Sequence, residues 1–149
     1  QMCIRDSPES EYILPLGVAD IKREGKDVTI VSFGKIIKEA FKAADELAEE
    51  GIEAEMIDLR TVRPIDFDAI LTSVKKTNRL VILEEAWPLG SISSEIAYKV
   101  QKDSFDNLDA PIKRVTALDT PMAYAPTLVE AYLPNKDKLV KVVKEVMYI

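Results

Sequence analysis

The chain has 149 residues, 47% of them hydrophobic and 31% charged, with 5 Gly and 8 Pro, a balance that excludes a disordered, collagen-like or low-complexity polypeptide and fits one domain able to bury a core without a staple. Its one Cys, Cys3, and its lack of any His exclude an internal disulfide, a multi-cysteine metal site, a Ser-His-Asp triad and a His-ligated metal. With 20 Lys and Arg against 26 Asp and Glu the net charge is −6, so a phosphate-tracking nucleic-acid surface is not expected and basic partners suit the chain better.

Residues 1–7 have no helical or strand period and differ in composition from the rest of the chain, which reads as a foreign or truncated start. Residues 8–20, opening with PESEYILPLG, read as an extended linker that docks through Tyr12, Ile13 and Leu14. The domain proper is expected over 21–149. After the turn at Gly25, residues 28–31 (VTIV) form a β-branched run without polar alternation, as in a strand covered on both faces. From Lys35 onward, Ile36, Ile37, Ala40, Phe41, Ala44, Leu47 and Ala48 make a helical stripe that Gly51 closes.

Residues 54–59 (AEMIDL) predict a second strand, and Asp66 predicts the cap of a helix with Phe67, Ile70, Leu71 and Val74 on one face. Residues 80–83 (LVIL) predict a central strand. Ser91 or Ser93 caps the next helix, residues 112–117 (IKRVTA) form an edge strand, and a short helix is expected over 127–133. Asn135 then caps a last helix with Leu139, Val142, Val143 and Val146 buried and a solvated face of Lys136, Lys138, Lys141 and Lys144. No stretch approaches the ~20 apolar residues of a membrane span. No basic-then-apolar signal opens the chain, and the cytosol or a similar reducing compartment is the expected setting.

Strands alternating with helices imply an α/β three-layer sandwich around a mostly parallel sheet of about five strands. In such sheets ligands and partners meet the loops after the strand carboxyl ends. The glycines are isolated, so neither a dinucleotide fingerprint nor a phosphate-cradling loop is present; Gly34 reads as a tight strand-to-helix turn. Arg60 and Arg63, with Asp58, face Glu84 and Glu85 if the strands over 54–59 and 80–83 are neighbours, giving an ion-pair network or a carboxylate site. Glu84 and Glu85 are adjacent on a strand end, so they point to opposite faces and cannot act as an acid/base pair. Trp87 either folds over its own sheet edge or awaits a partner, and Tyr124, in a proline-framed loop, reads as an interface anchor.

Residues 12–17 (YILPLG), 23–31 (REGKDVTIV), 57–66 (IDLRTVRPID) and 108–111 (LDAP) followed by 114–116 (RVT) resemble, in order, the carboxyl-terminal transketolase-type domain of pyruvate dehydrogenase beta subunits, over residues 8–149. The resemblance implies a subunit of the thiamine-diphosphate- and magnesium-dependent first component of a 2-oxo acid dehydrogenase complex, cytoplasmic in bacteria or in the mitochondrial matrix of a eukaryote, with pyruvate as substrate. In that family the cofactor is held by the alpha subunit and the amino-terminal half of beta, so no catalytic, cofactor or metal residue is carried onto this chain. The implied partners are the alpha subunit, a second beta subunit and the dihydrolipoyl acetyltransferase core, the last through the terminal carboxylate of Ile149 among other groups; no nucleic acid and no membrane is implied. Arg60, Arg63, Glu84, Glu85, Trp87, Tyr124 and Ile149 are the expected interface residues. Branched-chain 2-oxo acid or acetoin dehydrogenases and deoxyxylulose-phosphate synthase are the alternative relatives. A stand-alone flavodoxin-like module binding an anion at Arg60 and Arg63 is the alternative of another class.

Overall fold

The computed structural model describes residues 11–149; the opening heptad and Cys3 lie outside them. Five strands, β1 (Asp20–Arg23), β2 (Val28–Ser32), β3 (Ala54–Asp58), β4 (Leu80–Leu83) and β5 (Lys113–Val115), form one sheet in the order β1-β3-β2-β4-β5. The β2–β3, β2–β4 and β4–β5 pairs are parallel, and β1 runs antiparallel along β3. The helices are α1 (Ile37–Glu49), α2 (Phe67–Thr77), α3 (Ile92–Ser104), α4 (Pro126–Tyr132) and α5 (Lys136–Met147).

The unbroken apolar strands are explained by burial on two sides. Val28, Ile30, Met56, Val81 and Leu83 pack under α1 and α5 with Ala44, Leu47, Leu139 and Val143, whereas Val31, Ile57, Leu80 and Ile82 pack under α2 and α3 with Ile70, Val74, Ile96 and Val100. The period of two survives in the packing although both phases are apolar. Polar side chains inside this core are paired. Thr29 Oγ1 lies 2.6 Å from Ser73 Oγ and 2.7 Å from Thr77 Oγ1, and the buried Glu55 carboxylate meets Lys76 Nζ and accepts from Gly25 N–H at 3.3 Å.

Both predicted asparagine and aspartate caps form: Asp66 accepts from Ala69 N–H at 3.0 Å and Asn135 from Lys138 N–H at 2.9 Å. Gly51 follows α1 at φ +85°. The stripe from Lys35 begins as a short 3₁₀ turn (Gly34–Ile36) before α1. Ser91 precedes α3 but makes no side-chain cap to its backbone.

Three expectations are corrected. The linker reading of 8–20 ends in a strand that starts at Asp20, because β3 has a free edge and Asp20–Arg23 pairs along it. Tyr12, Ile13 and Leu14 do not dock: they are 59%, 81% and 42% exposed, whereas Gly17 is fastened by its N–H to Thr61 Oγ1. The lysines of α5 are not a solvated face, because α1 presents carboxylates to them. Lys136 Nζ is 2.6 Å from Glu46 and Lys144 Nζ 2.6 Å from Glu50, Lys138 Nζ binds the Ala131 and Leu133 carbonyls, and Lys141 alone of the four is exposed.

Candidate functional site

Because the chain leaves β2 toward β3 and then returns past β2 to β4, the carboxyl ends of β2 and β4 are the topological switch point, where open α/β sheets hold ligands. Here polar side chains at the strand ends are paired with one another, while a pocket of about 480 Å³ opens beside them on the α1 side, lined by Lys35, Ile36, Glu39, Glu85, Leu133 and Asn135 among others. Ser32 Oγ donates to the Leu83 carbonyl at 3.0 Å. Glu84, fully buried, accepts from Ser93 N–H at 3.3 Å and from the Ser93 hydroxyl. Gly34 turns at φ +71° without a glycine neighbour, so no row of amides faces the crevice as a pyrophosphate would require. Among the described residues no group of three or more His, Cys, Asp or Glu could hold a metal ion. These residues therefore do not fit thiamine diphosphate with its magnesium.

The arginine and glutamate constellation does not assemble. β2 lies between β3 and β4, so Arg60 and Arg63 are separated from Glu84 and Glu85 by a whole strand. Arg60 instead turns to β1, its Nη2 pairing with Asp20, which also accepts from Lys22 at 2.5 Å. The Lys22 hydrogen bond is the largest cause holding the Asp20 carboxyl below its ordinary value; burial opposes it, and the positive fields of Lys22 and Arg60 add to the lowering. Arg60 sits at φ +56° with its N–H on Asp58 Oδ1 at 3.0 Å. Arg63 is exposed and precedes a cis proline, Pro64.

The loop carrying both arginines is tied to the entering chain. Gly17 N–H donates to Thr61 Oγ1 at 3.0 Å, Thr61 Oγ1 donates to the Pro64 carbonyl at 2.9 Å, and Ala19 N–H donates to Asp66 Oδ2 at 2.9 Å. Asp66 thus holds the cap of α2 and the entering strand together. Sequence reading finds the cap but misses the second role, and it misses Asp20 altogether, since nothing in DIKR marks a carboxylate with a distant arginine partner.

The loops after β4 and β5 are joined to each other. Ala117 N–H donates to the Ala86 carbonyl at 3.1 Å and Trp87 Nε1 to the Thr120 carbonyl at 3.1 Å. Trp87 thereby folds over its own sheet edge and still leaves 52% of its surface exposed. Large apolar side chains crowd these two loops, with Leu89 88%, Met122 60% and Tyr124 103% exposed, more than isolated surface hydrophobics require. Glu85 is exposed beside them, while Glu84 points inward. Ile149 is elsewhere. Its helix ends beside the start of β4, where Arg79 Nε donates to the Val146 carbonyl at 3.1 Å and Tyr148 Oη to the Asp109 carbonyl at 3.3 Å, so the terminal residue lies at the amino end of the sheet. The expected interface residues therefore occupy three places: the β1 and β3 side, the carboxyl ends of β4 and β5, and the opposite end of the sheet.

The family model described as "Transketolase, C-terminal domain" matches residues 17–139. Over 140 residues the chain is 53% identical to acetoin:2,6-dichlorophenolindophenol oxidoreductase subunit beta of Bacillus subtilis, covering 94% of this chain and 41% of that protein. It is 49% identical over 138 residues to pyruvate dehydrogenase E1 component subunit beta of Rhizobium meliloti, covering 93% of this chain and 30% of that one. The mitochondrial pyruvate dehydrogenase E1 component subunit beta of Dictyostelium discoideum is 47% identical over 138 residues, 93% of this chain and 39% of that one. The chain thus spans less than half the length of these relatives. Among solved structures, a split-gene transketolase described as an inactive beta4 tetramer superposes with a TM-score of 0.80 at 28% identity, over 95% of this chain and 44% of that one. A Pichia stipitis transketolase shares the fold at a TM-score of 0.61 and 14% identity, over 89% of this chain and 18% of that one. With most of its length inside the matched model, this chain belongs to the transketolase C-terminal domain family.

Proposed function

We propose that this chain is the carboxyl-terminal, non-catalytic domain of the beta subunit of a thiamine-diphosphate-dependent pyruvate dehydrogenase. In the whole enzyme pyruvate is oxidatively decarboxylated and the acetyl group passes to lipoyl groups of the acyltransferase core. The observation that carries the reading is the apolar face on the loops after β4 and β5, where Trp87 is half exposed and Tyr124 wholly exposed. Exposed aromatic side chains grouped on adjoining loops suit contacts with other subunits. The thiamine diphosphate, when bound in the whole enzyme, supplies the carbanion-stabilising chemistry; this domain's residues support the subunits around it.

The partners under this reading are the alpha subunit and a second beta subunit, met through Trp87, Glu85 and Tyr124 and through the Arg60 and Arg63 loop. The dihydrolipoyl acetyltransferase core is met at the other end of the sheet, where Ile149 is exposed. Among the described residues no helix is long and apolar enough to cross a membrane, and relatives carry both bacterial and mitochondrial names. A second reading, an acetoin-oxidising enzyme, is favoured by one observation, the 53% identity to the Bacillus subtilis oxidoreductase.

The test is reconstitution. The beta subunit carrying this domain, completed by an amino-terminal half and joined with its alpha subunit, is assayed with pyruvate and with acetoin by reduction of 2,6-dichlorophenolindophenol. Turnover of pyruvate over acetoin supports the first reading, the reverse supports the second, and catalysis by the 149-residue chain alone overturns both.

A further inference from the structure

We propose that the pocket between the start of α1, the loop after β4 and α4 binds a free α-amino acid with an aliphatic side chain. Its volume of about 480 Å³ is that of a small-molecule site, in which apolar walls enclose the ligand and a few polar groups orient it. Ile36, only 6% exposed, supplies the apolar part together with Leu133 and the buried Pro134. The pocket adjoins the carboxyl ends of β2 and β4, where open α/β sheets take ligands.

Charge defines the occupant. Lys35 and Lys38 line the pocket from the turn before α1 and from α1 itself, whereas Glu85 lines it from the loop after β4 and Glu130 from α4. The remaining charges there are already paired: Lys42 Nζ is 2.6 Å from Glu39, which also accepts from Lys136 N–H at 3.1 Å. Among the described residues, none of Lys35, Lys38, Glu85 and Glu130 has an opposite charge within ion-pair distance. The two lysines and two glutamates therefore face one space without neutralising each other. A simple anion entering it is attracted by the lysines and repelled by the glutamates, and a simple cation meets the reverse. A ligand carrying both signs gains from both sets. An α-amino acid holds its ammonium and carboxylate on one carbon and projects a third substituent, which the apolar wall of Ile36, Leu133 and Pro134 accepts when it is aliphatic. The pocket lies wholly within this chain, so the inference stands apart from the pyruvate dehydrogenase reading.

The probe is L-leucine, titrated at low salt into the 149-residue chain and followed by amide NMR shifts. The controls are 4-methylpentanoate, 3-methylbutylamine and glycine, which lack in turn the ammonium, the carboxylate and the aliphatic side chain. The expected result is saturable shifts at Ile36 and Leu133 with a Kd of about 1 mM or lower, and binding at least about fivefold weaker for each control. Glu85 also belongs to the face proposed for subunit contacts, so the variants are Lys38→Gln and Glu130→Gln, which those contacts do not use. Each is expected to weaken leucine binding about fivefold. Both residues are exposed, and an unchanged far-ultraviolet spectrum verifies that the variants keep the fold. Absence of saturation up to about 10 mM, equal binding of any one control, unaltered binding in both variants, or shifts confined to residues away from the pocket overturns the proposal.

Discussion

Glu84 and Ser93 are joined twice, through the Ser93 N–H at 3.3 Å and through its hydroxyl, with both residues fully buried. The end of β4 is thereby fastened to the first turn of α3, whose own N-cap Ser91 does not hold it. Glu84→Ala leaves the buried Ser93 N–H without an acceptor, whereas the Ser93 hydroxyl keeps Ser91 Oγ at 2.9 Å, and a stranded polar group costs about 1–3 kcal/mol. The expected outcome is a loss of about 1–3 kcal/mol in urea unfolding. Glu84→Gln, which keeps one carbonyl acceptor, is expected to lose less. Equal stability of Glu84→Ala and the parent chain contradicts this account.

Gly25 is fixed by space rather than by backbone angle. A Cβ there would lie 2.3 Å from the Ala54 carbonyl carbon and 2.3 Å from the Glu55 nitrogen, both main-chain atoms of β3 that cannot move without breaking its ladder with β2. The same turn donates Lys26 N–H and Asp27 N–H to the Glu53 carbonyl at 3.0 Å. Gly25→Ala is expected to cost more than about 3 kcal/mol, at the severe end for one methyl group. Gly51→Ala, where nothing lies within 4 Å but φ is +85°, is expected to cost only about 1 kcal/mol. Thermal unfolding of the two variants side by side checks the order.

Arg60 combines a left-handed backbone at φ +56° with a side chain paired to Asp20. Arg60→Ala loses the pair and keeps the strain, whereas Arg60→Gly loses the pair and relieves the strain. The glycine variant is therefore expected to be the more stable of the two by about 1 kcal/mol. Chemical unfolding decides it, and a more stable alanine variant would show that Arg60 is not strained.

Asp20 makes that pair sensitive to acid. Its folded carboxyl titrates below the ordinary value of 3.8, held there chiefly by the Lys22 hydrogen bond. A depressed folded value means that the stabilisation is complete above the unfolded value and is lost as pH falls through the folded one. Since Asp20 is partly exposed, the contribution is ~1 kcal/mol or less. The stability gap between the parent chain and Asp20→Asn is expected to be constant from neutral pH down to about pH 5 and to close below about pH 3. A gap that widens on acidification refutes the assignment.

What the sequence made legible was what local chemistry determines. Asp66 and Asn135 cap because their side chains reach the third amide onward, and residues 28–31 and 80–83 are strands because a short β-branched or apolar run suits a sheet covered on both faces. What escaped was long-range. The placement of β2 between β3 and β4, which separates Arg60 from Glu84, comes from crossovers that leave no periodic mark. The β1 strand reads as polar because one edge of it faces solvent. The lysines of α5 look solvated until α1 supplies Glu46 and Glu50 across a gap of about a hundred residues in sequence. The family resemblance supplied the architecture, but it did not show that Glu84 turns inward to Ser93.

Trp87 and Tyr124 sit on loops that are hydrogen-bonded to each other yet differ in what they owe to the fold. Trp87 Nε1 is tied to the Thr120 carbonyl at 3.1 Å, whereas Tyr124 is 103% exposed and has no intramolecular surface to lose. If this face joins subunits, Tyr124→Ala is expected to leave the urea midpoint of the isolated chain unchanged while weakening assembly of the completed beta subunit with alpha by about tenfold or more, as for an aromatic anchor at the centre of a contact. Trp87→Phe is expected to lower stability by about 1 kcal/mol through the lost hydrogen bond and to weaken assembly as well. Sedimentation of the mixed subunits reads the association, and the fluorescence of Trp87, the one tryptophan of the chain, reports burial of the loop on association. Full assembly by Tyr124→Ala, with unaltered tryptophan emission in the parent on mixing, would assign the subunit contact to another face of the domain.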